Sequence, residues 1–110
     1  MICDAYDVAV VPFPFVEKRG QKRRPALVLS DAAFNKCGHT ICAMITSKPR
    51  APWPGDVAIT STDAAGLKTA CTVRLKVFTL DNRLLLRRIG ALAKTDREQT
   101  HAALGEFLGA

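Results

Sequence analysis

The sequence has no apolar run approaching the 18 or so residues that a membrane-crossing helix needs. Its first residues, Met1-Ile2-Cys3-Asp4-Ala5-Tyr6-Asp7, lack the basic stretch and apolar segment of a secretion signal. Both absences lead to the expectation of a cytoplasmic protein with no membrane role. The four cysteines, Cys3, Cys37, Cys42 and Cys71, form no C-x-x-C pair and have no histidine at metal spacing. Reduced structural thiols are therefore expected, with no metal and no cofactor. No internal repeat, low-complexity tract or linker interrupts the chain, and acidic residues are outnumbered 10 to 16 by lysine and arginine.

The 110 residues suffice for a single domain, 1–110, with a modest core, and 48% hydrophobic content argues against disorder. The net charge of +6 suggests an anionic partner, either nucleic acid or an acidic protein segment. The charge is clustered, with Lys18, Arg19, Lys22, Arg23 and Arg24 in one group and Arg83, Arg87 and Arg88 in another.

Short apolar runs divided by turns fill the first ninety residues. Tyr6–Val11 reads as a strand ended by Pro12 and Pro14, since proline cannot continue a central ladder. Pro25–Ser30 and Thr40–Thr46 are apolar on both faces, so each needs cover on two sides. Lys48–Gly55, with three prolines and Trp53, reads as an exposed loop. Asp56–Thr60, Ala70–Thr79 and Leu85–Leu92 read as further strands, with turns at 62–66 and 81–84. The period then changes. Thr95-Asp96-Arg97-Glu98 has the form of a capping box. Ala103, Leu104, Phe107 and Leu108 follow at the spacing of one helical face. The fold expected is mainly β with a C-terminal helix, a small SH3-like β-barrel.

The most informative segment is the crowded basic stretch that runs straight into Pro25-Ala26-Leu27-Val28-Leu29-Ser30. Five of the eight residues from Glu17 to Arg24 are lysine or arginine. A buried strand fixes the backbone behind Arg24, so its guanidinium is presented rather than loose, as phosphate binding requires.

Several short motifs in order make the chain resemble the PemK/MazF family of toxins from bacterial toxin–antitoxin pairs. They are Asp7-Val8 with Val11-Pro12-Phe13-Pro14, Arg24-Pro25-Ala26-Leu27-Val28-Leu29-Ser30, Ile45-Thr46-Ser47 and Gly66-Leu67. Val73-Arg74-Leu75-Lys76, Thr79-Leu80-Asp81 and Ile89-Gly90-Ala91-Leu92 complete the set. The resemblance implies a homodimeric SH3-like barrel that cuts single-stranded RNA without a metal and is held inactive by a cognate acidic antitoxin. It places Arg24 on the family's catalytic arginine, Thr46 on its catalytic Thr or Ser, and Arg74 on a second basic site residue.

Such cleavage uses the neighbouring 2′-hydroxyl as nucleophile and leaves a 2′,3′-cyclic phosphate. Arg24 suits stabilisation of the developing charge, because its planar fork holds two phosphate oxygens while its pKa makes it a poor base. Thr46 can donate a hydroxyl hydrogen bond, with Ser47 as helper. Lys18, Arg19, Lys22, Arg23 and Lys76 are candidates to track the RNA backbone. Trp53 is equally a base-stacking platform or a residue packed within its own loop or on a partner subunit. No acid lies near Leu75 or Lys76 in sequence, so no general base is evident. That keeps open a barrel that binds RNA without cutting it. A same-fold toxin aimed at a protein such as gyrase is disfavoured, because the C-terminus lacks a distinctive Trp or charged tip.

Overall fold

The computed structural model describes residues 1–13, 22–47 and 51–109. Six strands form one antiparallel sheet: β1 (Asp7–Phe13), β2 (Lys22–Val28), β3 (His39–Thr46), β4 (Val57–Ala58), β5 (Thr72–Asp81) and β6 (Arg87–Ala91). Their order is β4-β5-β3-β2-β1-β6. A short helix, α1 (Ala32–Asn35), precedes β3, and the terminal helix, α2 (Lys94–Leu108), follows β6. Among the described residues no helix is long and apolar enough to cross a membrane.

The sheet curls without closing, so the expected barrel is a half-barrel whose edges, β4 and β6, do not pair. Register shifts at Val8/Ala9 and Ala43/Met44 supply part of the bend, since an irregular pair adds local twist. Two-sided burial of the central strands holds. Val8, Leu27, Ala43 and Ile45 join the cluster under α2, while Ala9, Ala26, Val28 and Cys42 join a second cluster on the other face. Full burial of Val8, Leu27, Val28 and Val73 contributes about 1.5–3 kcal/mol each. Burial pushes the Cys42 thiol up to about 12, with Cys3 adding to the shift, so that thiol stays protonated. Cys3 and Cys71 are buried as well, Cys37 is exposed, and all four are free.

Several boundaries differ from expectation for identifiable reasons. β1 runs on through Pro12 and Phe13, which pair with Arg23 and Lys22, because β6 leaves β1 after Val10. Proline is tolerated on that free edge; Pro14 lies outside the described residues. β2 starts at Lys22, so Lys22-Arg23-Arg24 is strand rather than loop. Its pairing to β3 begins only at Ala26, which leaves the basic half held from one side, by β1. The chain after β2 forms α1, capped by the Asp31 side chain on the Phe34 amide at 2.9 Å.

The terminal helix starts one residue before Thr95. Its N-cap is Ala93, without a side-chain cap, so the capping box does not form. Asp96 instead turns away from its own helix and accepts from the Thr60 and Ser61 amides and the Thr60 hydroxyl, at 2.7–3.1 Å. The buried residues of α2 are Asp96, Thr100 and Ala103, whereas Phe107 and Leu108 remain about half exposed.

The gap between the sheet edges is filled by the 62–67 turn. The Ala91 amide donates to Ala64 O at 3.0 Å. A Cβ on Gly66, whose φ is +72°, would stand 2.0 Å from Ile89 O, and one on Gly90 would stand 2.5 Å from Ala64 O. Both glycines are needed for two backbones to touch.

Gly66→Ala is expected to cost about 1–3 kcal/mol from the left-handed backbone alone, with the clash against Ile89 added. Gly109→Ala, at φ +69° with open space around it, supplies the backbone cost without the clash. Denaturant unfolding of the two variants checks the difference; equal losses would contradict the close approach. Asp96→Ala should cost about 1–3 kcal/mol. Burial raises the Asp96 carboxyl, but hydrogen bonds from Ser61 and Thr60 outweigh it and lower it overall. Its contribution is therefore present above the ordinary carboxylate range and lost as pH falls through the lowered value. The gap between wild type and Asp96→Ala should narrow in acid, as unfolding curves at neutral and acidic pH would record.

Candidate active site

A cavity of about 290 Å³ opens between the basic half of β2 and the closing turn. Arg23, Arg24, Ser47, Lys68 and Thr69 give it polar walls, and Val10, Ile45, Leu67 and Ile89 give it an apolar floor. Each wall has a structural cause. Arg24 is carried by β2 opposite Val11, with its guanidinium 6.0 Å from the centre of the Phe13 ring. Ser47 follows the last residue of β3. Lys68 and Thr69 leave the turn that Gly66 presses onto β6.

Arg24 also lines a narrow apolar cleft of about 40 Å³ with Phe13, Met44 and Phe78. The β2–β3 register pairs Leu27 with Ala43 and Ala26 with Met44. Carried two residues further, it sets Arg24 level with Thr46 on the face shared by Ala26 and Met44. Thr46 itself is half-buried, pairs with Thr72, and lines neither cavity. Of the two hydroxyls expected here, the helper Ser47 lines the wall and Thr46, expected as the catalytic one, does not.

The other expected residues divide. Lys22 starts β2, exposed. Lys18 and Arg19 lie outside the described residues. Trp53, Arg74 and Lys76 gather in a separate cluster. Lys76 Nζ lies 4.6 Å, and Arg74 Cζ 5.8 Å, from the Trp53 ring centre. Arg74 is occupied: it donates to both Asp56 oxygens at 3.2 and 2.9 Å and to Ala51 O at 2.8 Å. The Asp56 hydrogen bond raises the Arg74 guanidinium further above its ordinary value. An acid does therefore approach β5 in space, 18 residues away in sequence, but as an ion-pair partner that clamps the Trp53 loop.

Lys68 and Thr69 were missed by reasoning from sequence. The available signal was their position directly after Gly66-Leu67, since a tight turn that docks on a strand must project the residues that follow it. Arg87 was missed too, although it sits in the second basic cluster; it lines a neighbouring cavity with Arg23.

A curled six-stranded half-barrel with a terminal helix and a cation-walled cleft is the architectural class. Within that class, the family model for the PemK-like, MazF-like toxin of type II toxin–antitoxin systems matches residues 4–108, and this chain belongs to that family. It is 37% identical over 90 residues to the probable endoribonuclease MazF of Mycolicibacterium smegmatis, covering 80% of this chain and 82% of that relative. It superposes on MazF from Deinococcus radiodurans with a TM-score of 0.75 at 26% identity, over 100% of this chain and 99% of that one. A MazE–MazF structure from the same organism gives a TM-score of 0.78 at 24% identity, over 99% and 98% of the two chains.

Because Trp53 is the only tryptophan, its fluorescence reports the clamp directly. Asp56→Asn should release Arg74 and the loop, shifting the emission to the red and raising acrylamide quenching. An unchanged spectrum would mean that the loop holds without the ion pair.

Proposed function

We propose that this protein is the RNA-cleaving toxin of its pair, cutting single-stranded RNA at the cavity between β2 and the closing turn. The observation that carries the reading is the convergence of Arg23, Arg24 and Lys68 with the Ser47 and Thr69 hydroxyls around one apolar-floored cavity. The family membership and the relative named as an endoribonuclease support it.

In this reading the 2′-hydroxyl loses its proton and its oxygen attacks phosphorus. The bond to the 5′-oxygen breaks, that oxygen takes up a proton, and a 2′,3′-cyclic phosphate and a 5′-hydroxyl remain. Arg24 holds two non-bridging oxygens from one side and Lys68 offers an ammonium from the opposite wall, so charge that develops on the phosphorane is met from both sides. The Ser47 hydroxyl, which lines the cavity, donates to a non-bridging oxygen. The low polarity of the floor strengthens each of these interactions. No metal ion takes part in this scheme.

An acidic antitoxin segment would be drawn to the same cleft, and the MazE–MazF complex of the Deinococcus radiodurans protein supports such a pairing. The cytoplasm, where thiols stay reduced, is the compartment this reading assigns, and a homodimer is its working form. The second reading is a barrel that binds RNA without cutting it. It rests on one observation: among the described residues no carboxylate or histidine lines the cavity.

Incubation with a long single-stranded RNA in excess EDTA separates the two. Wild type should give discrete fragments ending in 2′,3′-cyclic phosphate. Arg24→Ala should cut about 100- to 1,000-fold more slowly with unchanged unfolding behaviour. Bound but intact RNA would favour the second reading, and no interaction would defeat both.

A further inference from the structure

A second cavity of about 390 Å³ adjoins the first, lined by Val10, Arg23, Leu86 and Arg87. Val10 and Arg23 belong to both cavities, so the two form one continuous groove with Arg23 at the join. The topology explains the second opening. β6 pairs with β1 only as far as Val10 opposite Arg87, and the Leu86 amide closes on Val10 O at 2.8 Å. Beyond that point Val11, Pro12 and Phe13 of β1 stay paired to β2 but have no partner on the β6 side, which leaves a notch beside that free edge. Arg87 and the exposed Leu86 border that notch.

Three arginines elsewhere on the protein are ion-paired. Arg88, adjacent in sequence, pairs with Asp7 at 3.0 Å, Arg83 with Asp81 at 3.0 Å, and Arg74 with Asp56 at 2.9 Å. Among the described residues, the side chains of Arg23, Lys68 and Arg87 have no ion-pair or hydrogen-bond partner. The unneutralised guanidinium of the 87–88 pair is thus the one that faces the groove.

From this geometry we infer that Arg87 forms a second phosphate subsite, one that holds the RNA backbone beside the phosphate being cut. Arg23 bridges the two subsites, and Leu86 offers an apolar surface to a ribose or base. The inference rests on the RNA-cleaving reading and deepens it. It commits the substrate to a strand at least one phosphate longer than the scissile linkage, leaving the first cavity past Arg23. Arg87 takes no part in the bond changes; it binds substrate and transition state alike.

The test uses two probes. A single-stranded 2′-O-methyl RNA keeps every phosphate and lacks the attacking hydroxyl, so it reports binding as a function of salt. Unmodified RNA of the same sequence reports KM and kcat. Loss of one phosphate contact should make the slope of log K against log salt shallower by about 0.7 in Arg87→Gln. KM should rise several-fold with kcat held, the signature of uniform binding. Arg87→Lys should restore most of the slope, and Arg83→Gln, which removes a paired cation, should leave it unaltered. Equal slopes in wild type and Arg87→Gln would overturn the subsite while cleavage by wild type kept the function. A matching change in Arg83→Gln would also overturn it, by making the effect one of net charge. Wild type that neither binds nor cuts RNA would overturn both readings.

Discussion

The backbone of Gly66 rests on Ile89 and that of Gly90 on Ala64 and Ala65, and this contact determines most of what the half-barrel can do. The sheet has two unpaired edges, and a curled sheet with open edges exposes backbone donors and apolar side chains together. The 62–67 turn, laid on β6, covers that opening with peptide rather than with side chains. The same contact delivers Lys68 and Thr69 to one wall of the cavity and Ile89 and Leu67 to its floor. Shape and chemistry at the cleft therefore follow from an approach that only glycine permits.

A second constraint acts on the opposite wall. The basic half of β2 is paired to β1 but not to β3, so it is fixed in direction while one side stays open. Pro25 suits that position, because a strand flanked on one side need not donate from every residue. Arg24 is held by the ladder to Val11 and by the Phe13 ring, and these limit the rotamers it must give up on binding a phosphate. Ion pairing elsewhere removes competitors. With Arg74, Arg83 and Arg88 ion-paired, Arg23, Lys68 and Arg87 are cations that line the groove without a carboxylate partner.

Much of this was legible in the sequence, and the remainder was hidden for physical reasons. Runs such as Ala26-Leu27-Val28 and Cys42-Ala43 marked strands buried on both faces, since no alternation relieved them. Arg24 before Pro25 marked an anchored cation. The ordered motifs carried the family, and two of them, Gly66-Leu67 and Ile89-Gly90-Ala91-Leu92, prove to be the two sides of the closing contact. Local rules failed where a residue was claimed from a distance. Thr95 to Glu98 satisfies the capping-box pattern, yet Asp96 between them binds Thr60 and Ser61, and the helix begins at Lys94 with Ala93 as its cap. Arg74 and Lys76 read as open strand cations because Asp56 and Trp53 approach across a loop. Pro12 reads as a strand end, but the partner that would have demanded its missing amide departs at Val10.

The turn-to-strand contact is a fixed part of the native structure and not a surface flap. The Ala91 amide, bonded to Ala64 O, reports it directly. Amide hydrogen exchange at Ala91 under native conditions should proceed only through global unfolding, at the free energy found for the core amides of Leu27 and Ala43. Exchange at Ala91 several kcal/mol easier than at those core amides would show that the turn opens alone, and would contradict the account of how the cavity is built.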